Sequence, residues 1–157
     1  MHLLLGLVLT TTTFVAGATL PTSMIATPCG GENHSPQLQL AGVPAGTRSL
    51  ALILHDPDAP HAGGFYHWVF YDLTPDTRSI ARNAEFAVNQ TGRNDTAALG
   101  YFGPCPPPGK LHHYNFTIYA LDIANLNPLQ PLSAAELLER MHGHILAQAT
   151  LTGTLER

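Results

Sequence analysis

Three runs of seven to eleven residues constrain the fold most strongly: SLALILH (49–55), HWVFYDL (67–73) and HHYNFTIYALD (112–122). Each is rich in aromatic and aliphatic or β-branched residues, is too short for a typical helix of comparable apolarity, and is bounded by Pro and Gly; this marks strands. In the first, Leu50, Leu52 and Leu54 alternate with Ala51, Ile53 and His55, so both faces are largely apolar. The intervening stretches GVPAGT (42–47), DLTPDT (72–77), NQTGRND (89–95) and GPCPPPG (103–109) carry turn and loop chemistry. A helix is expected only late, where Ser133 and Glu136 form a capping box before AAELLERM and Gly143 supplies the stop. The terminal ILAQATLTGTLER is expected to combine a short helical turn with a last strand. Together these features predict a mainly β chain, an antiparallel Greek-key β-sandwich with one or two short helices near the C-terminus. Without repeats or linkers, residues 1–157 read as a single domain.

Composition narrows the partners. The net charge is −4, with only seven Lys and Arg and no basic cluster, which argues against nucleic acid or an anionic membrane surface. Nine histidines outnumber them, and histidine titrates near neutrality. The N-terminal MHLLLGLVLTTTTFVAGATLP is read as a retained first strand; a leader cleaved after the small residues 16–18 is the alternative. No stretch is long enough to span a bilayer. Cys29 and Cys105 either pair, in an exported chain, or remain thiols in a cytoplasm. Sequons at Asn33, Asn89, Asn94 and Asn115 carry little weight.

Candidate chemistry gathers at strand ends. Asp56 closes the first run within DPDAP, and Pro57 biases it towards an extended conformation. His67 opens the second run, and His112 opens the third directly after a proline-stiffened loop. Residues two apart share a strand face, so Tyr114 points the same way as His112. An Asp beside imidazoles fixes their tautomer and favours protonation. Histidine cations, a tyrosine hydroxyl and backbone N–H groups near Gly103 and Cys105 then suit a small phosphate or carboxylate. Each residue also has a plain structural role available to it, as a strand terminator or a hydrogen-bonded histidine.

Other chemistries fit less well. GPCPPPGK departs from a phosphate-binding loop, with five residues between its glycines, Leu111 in place of Ser/Thr, and four prolines lacking N–H groups. None of the five serines lies in GxSxG. A Cys105–His112 nucleophile pair and a metal site from Asp56, His67 and His112 have the residue types but not the spacing.

The segments CGGENHSPQL (29–38), GVPAGTRSLALILHDPDAP (42–60), FYHWVFYDL (65–73), GYFGPCPPPGKLHHYNFTIYALD (100–122) and GHILAQATLTGT (143–154) resemble the phosphatidylethanolamine-binding protein family, best its bacterial Raf-kinase-inhibitor-like, YbhB/YbcL-type branch. The likeness runs through nearly the whole chain, and FVAGATLP (14–21) resembles the turn after the family's first strand. It implies a β-sandwich with an anion-binding pocket lined by Asp56, His67, His112, Tyr114 and Cys105, with Asp58 holding the loop. It further implies a non-enzymatic binder of a phosphate-like anion or phospholipid headgroup, without cofactor or metal, in the cytoplasm. A module that modulates a kinase or protease is the alternative, a hydrolase using the Asp/His pocket a weaker one, and a homodimer is compatible with either. Three departures stand out: Leu40 for a usual Trp, His113 for a commoner Arg, and Leu155 for a common aromatic, which puts a C-terminal lid in doubt.

Overall fold

The computed structural model describes residues 6–157. Strands β1 (Val8–Thr10), β2 (Leu38–Ala41), β3 (Ser49–Asp56), β4 (Phe65–Leu73), β5 (Ser79–Ile80), β6 (His112–Leu121) and β7 (Ile145–Leu155) form two antiparallel sheets; among the described residues the one α-helix, α1 (Ala134–Met141), precedes the last strand. The small sheet has the order β1-β2-β5 and the large one β4-β3-β6-β7. The chain passes through the small sheet at β5 between β4 and β6, so these two strands flank β3 instead of forming a simple meander.

The apolar pattern of β3 explains its central position. Leu50, Leu52 and Leu54 face the small sheet and pack with Leu38, Leu40, Ile80, Trp68, Phe70 and Phe116. Ala51 and Ile53 face the other way and meet Leu137 and Met141 of α1 together with Leu126, Leu132 and Tyr71. A strand covered on both faces reads as a near-continuous apolar run. Leu40 is therefore a core residue, and Leu155 packs into the same inter-sheet core.

Helix α1 begins as the sequence predicts: Ser133 Oγ accepts from Glu136 N at 3.2 Å, and Gly143 adopts φ 81° just beyond the helix. The terminal segment differs from expectation. It contains no helical turn; β7 runs unbroken and pairs with β6 from His112↔Leu155 to Leu121↔Ile145. The long partner strand pairs with it along its length, with one irregularity at Leu146, and this outweighs the helix propensity of ILAQA. β1 lies within the N-terminal apolar run and pairs with β2; residues 1–5 of that run lie outside the described residues. No helix among the described residues is long and apolar enough to cross a membrane.

Replacing Ser133 with Ala should cost about 1 kcal/mol, read as a lowered urea midpoint at unchanged m-value. A loss below about 0.3 kcal/mol would mean that packing of Leu137 and Met141 alone positions the helix.

Candidate functional site

At one end of the sandwich the apolar rows facing the core give way to polar side chains. On β3 the row Leu50, Leu52, Leu54 continues to Asp56; on β6 the row Ile118, Phe116 continues to Tyr114 and His112. Because β3 and β6 are adjacent and antiparallel, with Leu54 opposite Phe116, these continuations converge. They line a cavity of about 170 Å³, completed by Phe65, His67, Phe102, Cys105, Ala59, Pro60, His61, Pro106 and Pro107.

His67 reaches the cavity by a different route. It is the third residue of β4, not the first. The β3–β4 register jumps from Leu54↔Trp68 to His55↔Tyr66, which leaves His67 as an extra residue. Such a β-bulge re-aims side chains. Phe65 and His67 consequently line the cavity, although Trp68, their neighbour of opposite parity, lies in the inter-sheet core. Alternation alone would have placed His67 and Trp68 on opposite faces.

The polar atoms are tightly committed. His112 Nδ1–H donates to Asp56 Oδ2 at 2.6 Å, with both residues buried. Asp56 Oδ1 accepts from Asp58 N at 2.8 Å, closing the turn at Pro57. His67 Nδ1 lies 2.7 Å from the carbonyl oxygen of Phe102; a carbonyl only accepts, so this nitrogen carries the hydrogen. Nε2 is thus the free nitrogen on both rings. Burial depresses the His67 pKa to about 4, outweighing the Phe102 carbonyl and the Asp56 charge. The expected histidine cation is therefore not present at this position at neutral pH. Burial and the nearby Asp56 carboxylate push the Tyr114 phenol well above its usual pKa. Its hydroxyl lies close to Asp56 but meets no partner in hydrogen-bond geometry among the described residues. An unpaired buried hydroxyl costs about 1–3 kcal/mol.

Asp58 does not line the cavity. Its Oδ2 accepts from both the backbone N (2.8 Å) and Nδ1 (2.7 Å) of His113, binding the DPDAP loop to the start of β6. These bonds hold the Asp58 carboxyl below its usual pKa. His113 thus points away from the cavity and supports the loop where an arginine was expected. Gly64, at φ 79°, closes the same loop; a Cβ there would lie 2.2 Å from the Asp56 carbonyl oxygen.

The opposite wall is held from a distance. Cys105 forms a disulfide with Cys29 across 76 residues, so the two cysteines are paired. Gly103 N donates to Asn33 Oδ1 (2.7 Å) and is not free for a ligand; Ala26 N donates to Pro104 O (3.0 Å). Phe65, Phe102 and the Phe102 carbonyl were missed by sequence reasoning, although FYHW and YFGPCPPPG, the segments that hold them, were singled out.

A family model described as phosphatidylethanolamine-binding protein matches residues 10–156. The chain belongs to the phosphatidylethanolamine-binding protein family. A UPF0098 protein of Methanothermobacter thermautotrophicus is 44% identical over 135 residues, covering 82% of this chain and 87% of the relative. The UPF0098 protein YbhB of Escherichia coli is 40% identical over 129 residues, covering 78% and 81%. The crystal structure of E. coli YbcL, described as a member of the mammalian PEBP family, superposes with a TM-score of 0.89 at 31% identity, covering 98% of this chain and 99% of YbcL. The family and its bacterial branch agree with the motifs read from the sequence.

Two outcomes follow for this family member. His67 binds a proton more weakly folded (pKa about 4) than unfolded (about 6.5), so stability should fall as pH drops from about 6.5 towards 4, by up to about 3 kcal/mol. Urea melts at pH 7 and pH 5 should show this acid loss, and it should shrink in His67→Gln; an equal loss in the variant would assign it elsewhere. Paired Cys29→Ser and Cys105→Ser substitutions should lower stability by roughly 2–5 kcal/mol, seen as a reduced melting temperature.

Proposed function

We propose that the cavity binds a small phosphate-like oxyanion, such as a phospholipid headgroup, without catalysing its conversion. The observation that carries this reading is the buried Tyr114 hydroxyl without a partner. It lines the same cavity as two buried imidazoles, His67 and His112, whose Nδ1 atoms are already used. These three polar positions converge with the Asp56 carboxylate and, at the rim, His61 in a space walled mainly by aromatic rings and prolines, which is typical of a ligand site. The volume, below the roughly 300–1,000 Å³ of drug-sized pockets, suits a phosphoryl group better than a larger metabolite. The matching family model, described by phosphatidylethanolamine binding, supports the same ligand class.

Binding without catalysis is favoured because the lining offers no activated nucleophile. The one thiol position, Cys105, is spent in the disulfide, and the Asp56–His112 pair has no side-chain hydroxyl other than the Tyr114 phenol beside it. The disulfide also bears on compartment. Structural disulfides persist in oxidising surroundings, so an exported chain is favoured over the cytoplasmic location expected from the family likeness.

Calorimetric titration of inorganic phosphate and of phosphoethanolamine into the chain at several pH values should give saturable binding at pH 6, where a large share of each ligand is singly charged on its phosphate. His112→Ala and Asp56→Ala should each weaken it at least about tenfold, the effect expected when a charge-assisted hydrogen bond of about 1.5–3 kcal/mol is removed. No heat with either ligand would demote the constellation to structural support and redirect attention to a kinase or protease as the partner.

A further inference from the structure

The charge that the cavity can balance limits what it can hold. Its lining contains one carboxylate, Asp56, and neither lysine nor arginine. Asp56 Oδ2 accepts from His112 at 2.6 Å, so any positive charge on that ring is matched by its own partner. Tyr114 remains a neutral phenol at neutral pH. His67 is left. Phe65, Tyr114 and Phe102 wall its ring at centroid distances of 4.6, 5.4 and 6.1 Å. With Nδ1–H committed to the Phe102 carbonyl, Nε2 is the one ring nitrogen available, and in the neutral ring it presents a lone pair. A lone pair repels an oxyanion; a proton on Nε2 turns the contact into a charge-assisted hydrogen bond.

Building on the oxyanion reading above, we infer that the cavity takes up one proton on Nε2 of His67 with its ligand and therefore selects singly charged phosphodiesters over doubly charged phosphomonoesters. Protonated His67 brings at most one uncompensated positive charge, which a single negative charge cancels. A second negative charge would be buried without a partner, at a cost of several kcal/mol. A phosphomonoester loses its second proton near pH 6, so it fits only after regaining that proton.

The other charged groups around His67 do not change this count. Asp56 on β3 and Asp95, whose Oδ2 accepts from Tyr66 N on β4, favour the proton, and His55 on β3 opposes it. Asp58 and His113 form their own pair at the start of β6. His61 lines the cavity only at its rim and Lys110 lies outside it; both are exposed and screened by solvent. Arg157 donates to the Pro106 carbonyl oxygen and is not among the cavity-lining residues.

The full chain would be titrated with dimethyl phosphate and with methyl phosphate at pH 6, 7 and 8, in two buffers of different ionisation heat at each pH. About one proton should be taken up with dimethyl phosphate at pH 7, and affinity should fall about tenfold per pH unit. Methyl phosphate should lose up to about a hundredfold per unit above its own ionisation, so that the preference for the diester widens about tenfold per unit. A proton count near zero with a flat profile, or methyl phosphate gaining on the diester as pH rises, would overturn the inference and leave oxyanion binding intact. Failure of both probes to bind at any pH would remove the oxyanion reading and the inference with it. His67→Gln, checked for folding by thermal melting, supplies a neutral donor; its binding should weaken and lose the pH slope. Retention of the full slope in this variant would place the proton elsewhere. If the variant does not fold, the wild-type proton count decides.

Discussion

The hydrogen bond between Asp56 and His112 joins the two strands on which the rest of the site depends. A carboxylate and an imidazole, each buried, sit at the ends of core-facing rows on adjacent strands β3 and β6. The carboxylate could not be tolerated there alone, because an unpaired buried charge costs far more than the single bond contributes. The pairing is possible only because β3 and β6 are neighbours in the large sheet, and that neighbourhood follows from the burial of β3 on both faces. The apolar core and the polar cavity are thus two stretches of the same side-chain rows.

A second carboxylate–imidazole pair runs beside the first. Asp58 and His113 repeat its chemistry two residues and one residue further along, but at the surface, where such a pair is worth little by itself. Its contribution is positional: it ties the DPDAP loop to the first residues of β6. The disulfide at Cys105 and the bonds from Asn33 and Ala26 secure the opposite loop. The cavity is walled by segments pinned on both sides, and a pre-formed site loses less entropy when it orders a ligand.

Much of this was legible in the chain. The strand assignments followed from apolar and aromatic runs bounded by turn residues, the helix from its capping box, the placement of Asp56 and His112 from their positions at strand ends, and that of Tyr114 from strand parity. Parity failed at His67, where one extra residue in β4 puts two consecutive side chains on the inner side of the strand. It failed also at β7, where ILAQA carries no strand signature of its own and becomes a strand because β6 needs a partner. Asp58 looked equivalent to Asp56 in DPDAP; the turn closed by Asp58 N on Asp56 Oδ1 separates their roles.

The sequence by itself determined the antiparallel β architecture, the end of the sandwich at which polar groups gather, and the family, because alternation, turn residues and contiguous motifs are local properties. Tertiary structure decided the tautomers of His67 and His112, the neutrality of His67, the unpaired Tyr114 hydroxyl and the Cys29–Cys105 pairing. Each of these depends on burial or on a partner remote in sequence: Phe102 lies 35 residues from His67, Asp56 lies 56 from His112, and the cysteines are 76 apart. Desolvation and long-range contact are set by how the sheets pack, and no local pattern encodes them.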